Sequence, residues 1–201
     1  MKKKFDPFIY IFIFLLQFKV ISQTNYDIYC ELDSKEKTIT ISQTIKFKNT
    51  SNNKLDKIYL NDWANSYEGT ESQLVNHLAN QFNRSFYFSS KNKLGYTEIE
   101  SITDNQSPLI WTRLRDQLDI VEVILYKPLN PGEIIIFSIN YKVKLPDDKF
   151  TGYGVNSNNK IFFRDFFISV SPLKKDTWIL HSNLGLRDNS NPPSSYLINW
   201  K

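Results

Sequence analysis

The side chains able to do chemistry are few and scattered. The chain has two histidines and one cysteine. A hydrolytic zinc site takes three protein ligands from histidine and carboxylate, leaving the fourth position open for water. His77 falls with Gln73, Asn80 and Gln81 on the polar side of a predicted helix, His181 stands alone in Leu180-His181-Ser182-Asn183, and no H-E-x-x-H pairing occurs. Both histidines read as surface or hydrogen-bonding side chains. Cys30 shares one face of an alternating run with Tyr26, Ile28 and Leu32, so it reads as a small core hydrophobe and not as a nucleophile. There is no G-x-S-x-G elbow for a serine nucleophile. Gly152-Tyr153-Gly154 lacks the third glycine and the strand-to-helix setting of a phosphate cradle, which makes it a loop.

Acid pairs have the right chemistry for glycoside acid/base work: Asp147 with Asp148, Asp116 with Asp119, Glu98 with Glu100. Their settings read as solvated turns and the polar side of strands. Phe86, Tyr87, Phe88, Trp111, Phe162, Phe163, Phe166 and Phe167 could form a stacking surface for sugar or peptide, yet aromatics at alternating strand positions usually pack into a core. No catalytic, cofactor-binding or metal-binding residue is assigned.

The elements that would carry these residues are mostly strands. Ile39, Ile41, Ile45 and Phe47 share one face of Thr38–Lys48 against threonine, serine and lysine on the other, the period of a half-buried strand. With Tyr26–Leu32 it predicts an antiparallel hairpin across Asp33–Lys37. A third strand is expected at Lys57–Trp63. Val121, Val123 and Leu125 alternate before Pro128-Leu129-Asn130-Pro131-Gly132-Glu133, and Ile135 through Leu145 alternate after it, which predicts a second hairpin about that turn. One helix is expected, with Thr70 and Gln73 as its capping box and Leu74, Val75, Leu78, Ala79 and Phe82 as its apolar stripe. An aromatic strand is expected at Ile161–Ile168 and another strand begins at Ser195. The fold class is mainly β: an antiparallel saddle or sandwich with one short amphipathic helix.

Lys2, Lys3 and Lys4 precede an apolar run, Phe8–Leu16, and a polar stretch ending at Gln23, the layout of a secretory signal with cleavage after Gln23. Nine apolar residues fall short of the ~20 of a membrane-spanning helix, so no stable membrane span is expected. The division is therefore 1–23 signal peptide and 24–201 β-rich domain, secreted or periplasmic. The leader holds Lys2, Lys3, Lys4 and Lys19 against Asp6, so its removal lowers the formal charge from +4 to +1. Basicity thus belongs to the leader and argues for no nucleic-acid or anionic-lipid partner.

The order of elements resembles the start of the bacterial M1-family zinc aminopeptidases, of a flavobacterium-like kind. The likeness rests on the opening hairpin Tyr26–Phe47, the segment Lys57-Ile58-Tyr59-Leu60-Asn61-Asp62-Trp63-Ala64-Asn65-Ser66-Tyr67, and Leu78-Ala79-Asn80-Gln81-Phe82. It continues through Gly95-Tyr96-Thr97, the Pro128–Glu133 turn, Phe150-Thr151-Gly152-Tyr153-Gly154 and Ser182-Asn183-Leu184-Gly185-Leu186. The resemblance implies a non-catalytic N-terminal β domain that packs on a downstream catalytic domain of the same protein. That domain would hold the zinc and meet the peptide substrates, its G-x-M-E-N strand and H-E-x-x-H helix lying beyond the residues matched here. It also implies that the chain stops where the family's first domain is finishing. The other function considered is a stand-alone secreted β-sandwich that binds polysaccharide or a protein partner, with Trp111 and Tyr153 as its stacking residues.

Overall fold

The computed structural model describes residues 24–105, 107–185 and 194–201. The expected leader lies outside the described residues, as does Leu186. Two sheets share one apolar core. The strands run β1 Thr24–Asp33, β2 Thr38–Lys48, β3 Leu55–Asn61, β4 Tyr96–Asp104, β5 Ser107–Pro108, β6 Ile110–Leu114, β7 Gln117–Leu129 and β8 Ile134–Lys144. Short pieces follow at β9 Gly154–Val155, β10 Ile161–Phe162, β11 Ser169–Val170, β12 Leu173–Lys174 and β13 Thr177–Trp178, before the longer β14 Ser194–Trp200. The first sheet is ordered β14-β1-β2-β8-β4-β5 and the second β11-β3-β7-β6, with β9–β10 and β12–β13 as separate ribbons. The fold is mainly β and largely antiparallel, as the alternation predicts; the exception is β14, which joins β1 in parallel.

The opening hairpin forms as expected, with Tyr26 opposite Ile45 and Cys30 opposite Ile41. Asp33 fixes its turn by accepting from the backbone N–H groups of Lys35 (2.9 Å) and Glu36 (3.0 Å), and Lys37 takes the left-handed conformation that closes it. Ile28, Cys30, Ile39, Ile41, Ile45 and Phe47 are buried and face Ile58, Leu60, Val121 and Val123 of the second sheet within the same core. At ~1.5–3 kcal/mol for each such side chain, this shared face is the main source of stability in a chain whose one cysteine is free.

The second hairpin does not form. β7 pairs with β3 and β6, whereas β8 pairs with β2 and β4, so the Pro128–Glu133 turn carries the chain from one sheet to the other. The same turn chemistry serves a hairpin or a sheet-to-sheet corner, and here a buried asparagine selects the corner. Asn49, just past β2, donates its side-chain amide to the carbonyls of Leu129 (2.9 Å) and Asn53 (2.8 Å). Its backbone N–H reaches the Glu133 carbonyl (2.9 Å), and its own carbonyl accepts from Gly132 (2.8 Å), which is left-handed. The β2–β3 and β7–β8 crossings are thereby tied together between the sheets.

Other boundaries shift. The third strand ends at Asn61, and Trp63–Tyr67 is a 3-10 turn. The helix, α1, runs Gln73–Asn80 and is capped by Ser72, whose hydroxyl accepts from Val75 (3.3 Å), in place of the Thr70–Gln73 box. Leu74, Val75 and Leu78 are buried as expected, but Phe82 is 92% exposed. The helix stops before it: Asn83 donates to the Leu78 carbonyl (2.9 Å) and Phe82 to that of Ala79 (3.0 Å), a Schellman close that puts Phe82 in the left-handed position usually given to glycine. Of the aromatic run Ile161–Ile168 only Ile161–Phe162 is strand. The loop Thr151–Asn159 contains Gly154, where a Cβ would lie 2.1 Å from the Pro146 carbonyl oxygen, a close approach only glycine allows.

Candidate interaction surface

The feature that sets this molecule apart from a closed sandwich is the edge at β14. Parallel pairing puts Tyr196 opposite Tyr26, Ile198 opposite Ile28 and Trp200 opposite Cys30, so these three side chains continue the core face of the sheet. The inner residues of β1 are buried; those of β14 are not, with Tyr196 at 42%, Ile198 at 38% and Trp200 at 46% exposed. The segment after β10 half-covers them. Phe163 lies 5.1 Å and Phe166 5.4 Å from the Trp200 ring, and Phe167 5.5 Å from that of Tyr196. Tyr196 stacks on Tyr26 (4.9 Å, 6°), whose hydroxyl oxygen accepts the Val170 N–H (2.9 Å) and so ties the shelf to the second sheet. Burial pushes the Tyr26 hydroxyl well above its usual range, leaving it neutral.

Together with Phe163, also exposed, these side chains form an apolar shelf beside a sheet edge. Three rings of about 150–250 Å², each a little under half exposed, make with Ile198 a patch of about 300 Å², the size of the largest apolar patch on a typical monomer, which is often functional. Of the aromatics weighed in the sequence, Phe86 and Phe166 are buried, Trp111 packs against the core, and Phe162, Phe163, Tyr87 and Phe88 are exposed. Tyr153 is buried at 2% exposure. Tyr153 therefore cannot serve as a stacking residue, while Trp111 is partly buried against the core.

The acids divide in a way the sequence does not reveal. Asp116, Glu98 and Glu100 are exposed, but Asp119 is buried, as is Asp62, and the reading of Asp119 as a solvated acid is corrected. Asp62 accepts from the Arg113 guanidinium (2.7 Å) and the Thr97 hydroxyl (2.7 Å). Arg113 also donates to the carbonyls of Leu118 (2.9 Å) and Thr97 (3.2 Å). Asp119 accepts the Asn183 N–H (2.6 Å), and Asn183 in turn donates to the Trp63 carbonyl (3.2 Å) and the Ser66 hydroxyl (3.0 Å). Burial raises both carboxyls above the usual range; for Asp62 the guanidinium opposes it, for Asp119 the Asn183 N–H. Every carboxylate here is engaged by the chain itself, so the knot braces the 3-10 turn and the 182–185 segment and presents no reactive group.

Another polar network crosses the core. Gln43, on the apolar face of β2, donates to the Ile168 carbonyl (2.6 Å) and accepts from the Tyr141 hydroxyl (2.6 Å), whose oxygen takes the Ile168 N–H (3.0 Å). It anchors the segment that carries Phe166 and Phe167. Only Gln43's place between Ile41 and Ile45 in the alternation signalled it.

The histidines stay apart. His77 lies within 3.1 Å of the Gln81 amide on α1, and the His181 carbonyl accepts from the Trp63 indole (2.9 Å). A shallow cleft of about 450 Å³ brings His181 near Asp116, Gln117 and Ser182, with the Ser182 hydroxyl accepting from the Gln117 amide (3.2 Å). Among the described residues no three histidine, cysteine or acidic side chains come close enough to hold a metal ion, so a zinc ion does not fit here. None of the described helices is long and apolar enough to cross a membrane.

No family model matches the sequence, and no curated protein matches it. Among solved structures, the M1 zinc metallopeptidase from Deinococcus radiodurans is similar at 17% identity and a TM-score of 0.39, over 62% of this chain and 20% of that one. Native yeast LTA4 hydrolase is similar at 13% identity and a TM-score of 0.35, over 60% of this chain and 14% of that one. The chain thus spans about a fifth or less of the length of the structures it matches.

Proposed function

We propose that this chain is a non-catalytic β domain related to the N-terminal part of M1-like zinc aminopeptidases, made to pack on a catalytic domain. The observation that carries the reading is the shelf of Tyr196, Ile198, Trp200 and Phe163, where the core face of a sheet runs out to an edge strand and stays half uncovered. A domain seated there would bury the apolar side chains. That domain would hold the zinc and supply the chemistry of peptide cleavage, and this chain would wall one side of the cleft and limit access to peptide N-termini. The order of sequence motifs supports this reading, and residues 1–23 supply the export signal.

The shelf is tested by dye binding. The chain is expected to enhance the fluorescence of anilinonaphthalene sulfonate, and Phe163→Ser with Trp200→Ser to remove most of that enhancement with the far-ultraviolet circular dichroism unchanged. Equal fluorescence from parent and variant would contradict the reading.

A further inference from the structure

We infer that the loop after α1 is a contact site for an anionic phospholipid surface. This rests on residues 82–93 and is independent of the β14 shelf. Phe86 anchors the loop, buried and stacked on Phe150 at 3.9 Å, with Tyr67 6.1 Å away. Around that anchor the chain turns tightly: Ser85 donates to the Asn83 side chain (3.1 Å), Tyr87 to the Arg84 carbonyl (3.1 Å), and the Ser89 hydroxyl to the Ser85 carbonyl (2.7 Å). The built loop displays its other rings outward. Phe82 is 92%, Phe88 85% and Tyr87 50% exposed.

Phe82 is the most telling of these. It occupies a left-handed position (φ 62°) where glycine would cost nothing, and its ring touches little of the fold. The helix close accounts for the backbone, and it is the exposure of the ring that the fold itself does not use.

Charge identifies the occupant. From Ser72 to Thr97 there is no acidic residue, while Arg84, Lys91 and Lys93 lie within the loop and the Lys149 ammonium sits 5.2 Å from the Phe150 ring beneath it. The acids bordering this region are Glu71 and Glu98 along the chain, and Asp148 with Asp147, which pairs with Lys93 at 3.8 Å. Within residues 72–97 themselves three cations face no acid, a local balance that the near-neutral charge of residues 24–201 conceals. Aromatic side chains flanked by cations suit a membrane interface: the rings enter the headgroup–acyl boundary and the cations meet lipid phosphates. A groove would suit a peptide or a second copy better, but these rings stand on a turn.

The test uses a local readout, since the apolar run Phe8–Leu16 could itself adsorb to lipid. Cys30 is buried, so an environment-sensitive dye can be placed on Ser90→Cys, or on Lys54→Cys before β3 as a control. With vesicles of phosphatidylcholine and phosphatidylglycerol, the dye at position 90 is expected to brighten and shift to the blue, and the dye at 54 to stay unchanged. Phosphatidylcholine alone should give no shift. Phe82→Gly with Phe88→Ser should abolish the response without lowering the melting temperature, and Arg84→Gln with Lys91→Gln should weaken partitioning roughly tenfold or more. No change at position 90, an equal change with neutral vesicles, persistence in the Phe82→Gly/Phe88→Ser variant, or dye burial caused by self-association without lipid would each overturn the proposal.

Discussion

The side-chain amide of Asn49 donates to the carbonyl of Leu129 at 2.9 Å, joining the end of β2 in one sheet to the end of β7 in the other. Two chain crossings meet at this contact, so removing it should loosen both. Asn49→Ala leaves the Leu129 carbonyl without the amide donor and the Ser51 N–H without its acceptor, and is expected to cost about 2–6 kcal/mol in urea unfolding, at ~1–3 kcal/mol for each buried group left unpaired. A loss under about 0.5 kcal/mol, the usual size of a surface substitution, would show that the turn residues alone set the corner.

Arg113 and Asp62 form a buried ion pair, with side-chain exposures of 19% and 2%. Such pairs add little net stability, but breaking one strands a charge. Arg113→Met is therefore expected to destabilise by about 3–5 kcal/mol, with Asp62→Asn added to it recovering a large part. Thermal unfolding of the two single variants and the double variant checks this; strictly additive losses would contradict it.

Asp119 gives the fold a pH dependence of definite sign. Burial raises its carboxyl above the usual range, so its contribution is fully present below the unfolded value, about 3.9, and is lost as pH rises through the higher folded value. The groups facing it are the Asn183 N–H and the Ser182 hydroxyl, which with the backbone of Asp119 itself oppose the shift, and Asp62, which adds to it. Asp119→Asn should gain melting temperature relative to the parent at neutral pH, and the gain should fade as pH drops toward 4. A difference that grows on acidification would reverse the assignment.

The strands of the opening hairpin were legible because Ile39, Ile41, Ile45 and Phe47 keep to one face across the single polar position at Gln43, and Cys30 followed from its register. The pairing of β7 and β8 was not, because Pro128–Glu133 fixes a turn without fixing which strands lie beside it. That depends on Asn49, distant in sequence. Likewise, Asp62 and Asp119 look like any other acids until the fold buries them, and Gln43 like a break in an apolar face until Tyr141 arrives beside it. Phe82 fits the helical stripe by spacing alone; the left-handed close after Asn80 turns it out. The β14 shelf was foreshadowed only by the apolar alternation of Tyr196, Ile198 and Trp200.

The same close offers a simple check on the fold. Phe82→Gly removes a strained left-handed phenylalanine at the cost of almost no burial, and is expected to stabilise by about 0.5–1 kcal/mol. A net loss of stability would mean that the ring packs against the chain after all.

The relation of this chain to a zinc peptidase is tested most directly by the coding sequence at its locus, read through and beyond the codon for Lys201. The account predicts an in-frame segment containing H-E-x-x-H and a later glutamate as third zinc ligand. A stop codon directly after Lys201, with no such segment in the same or an adjoining frame, would contradict it.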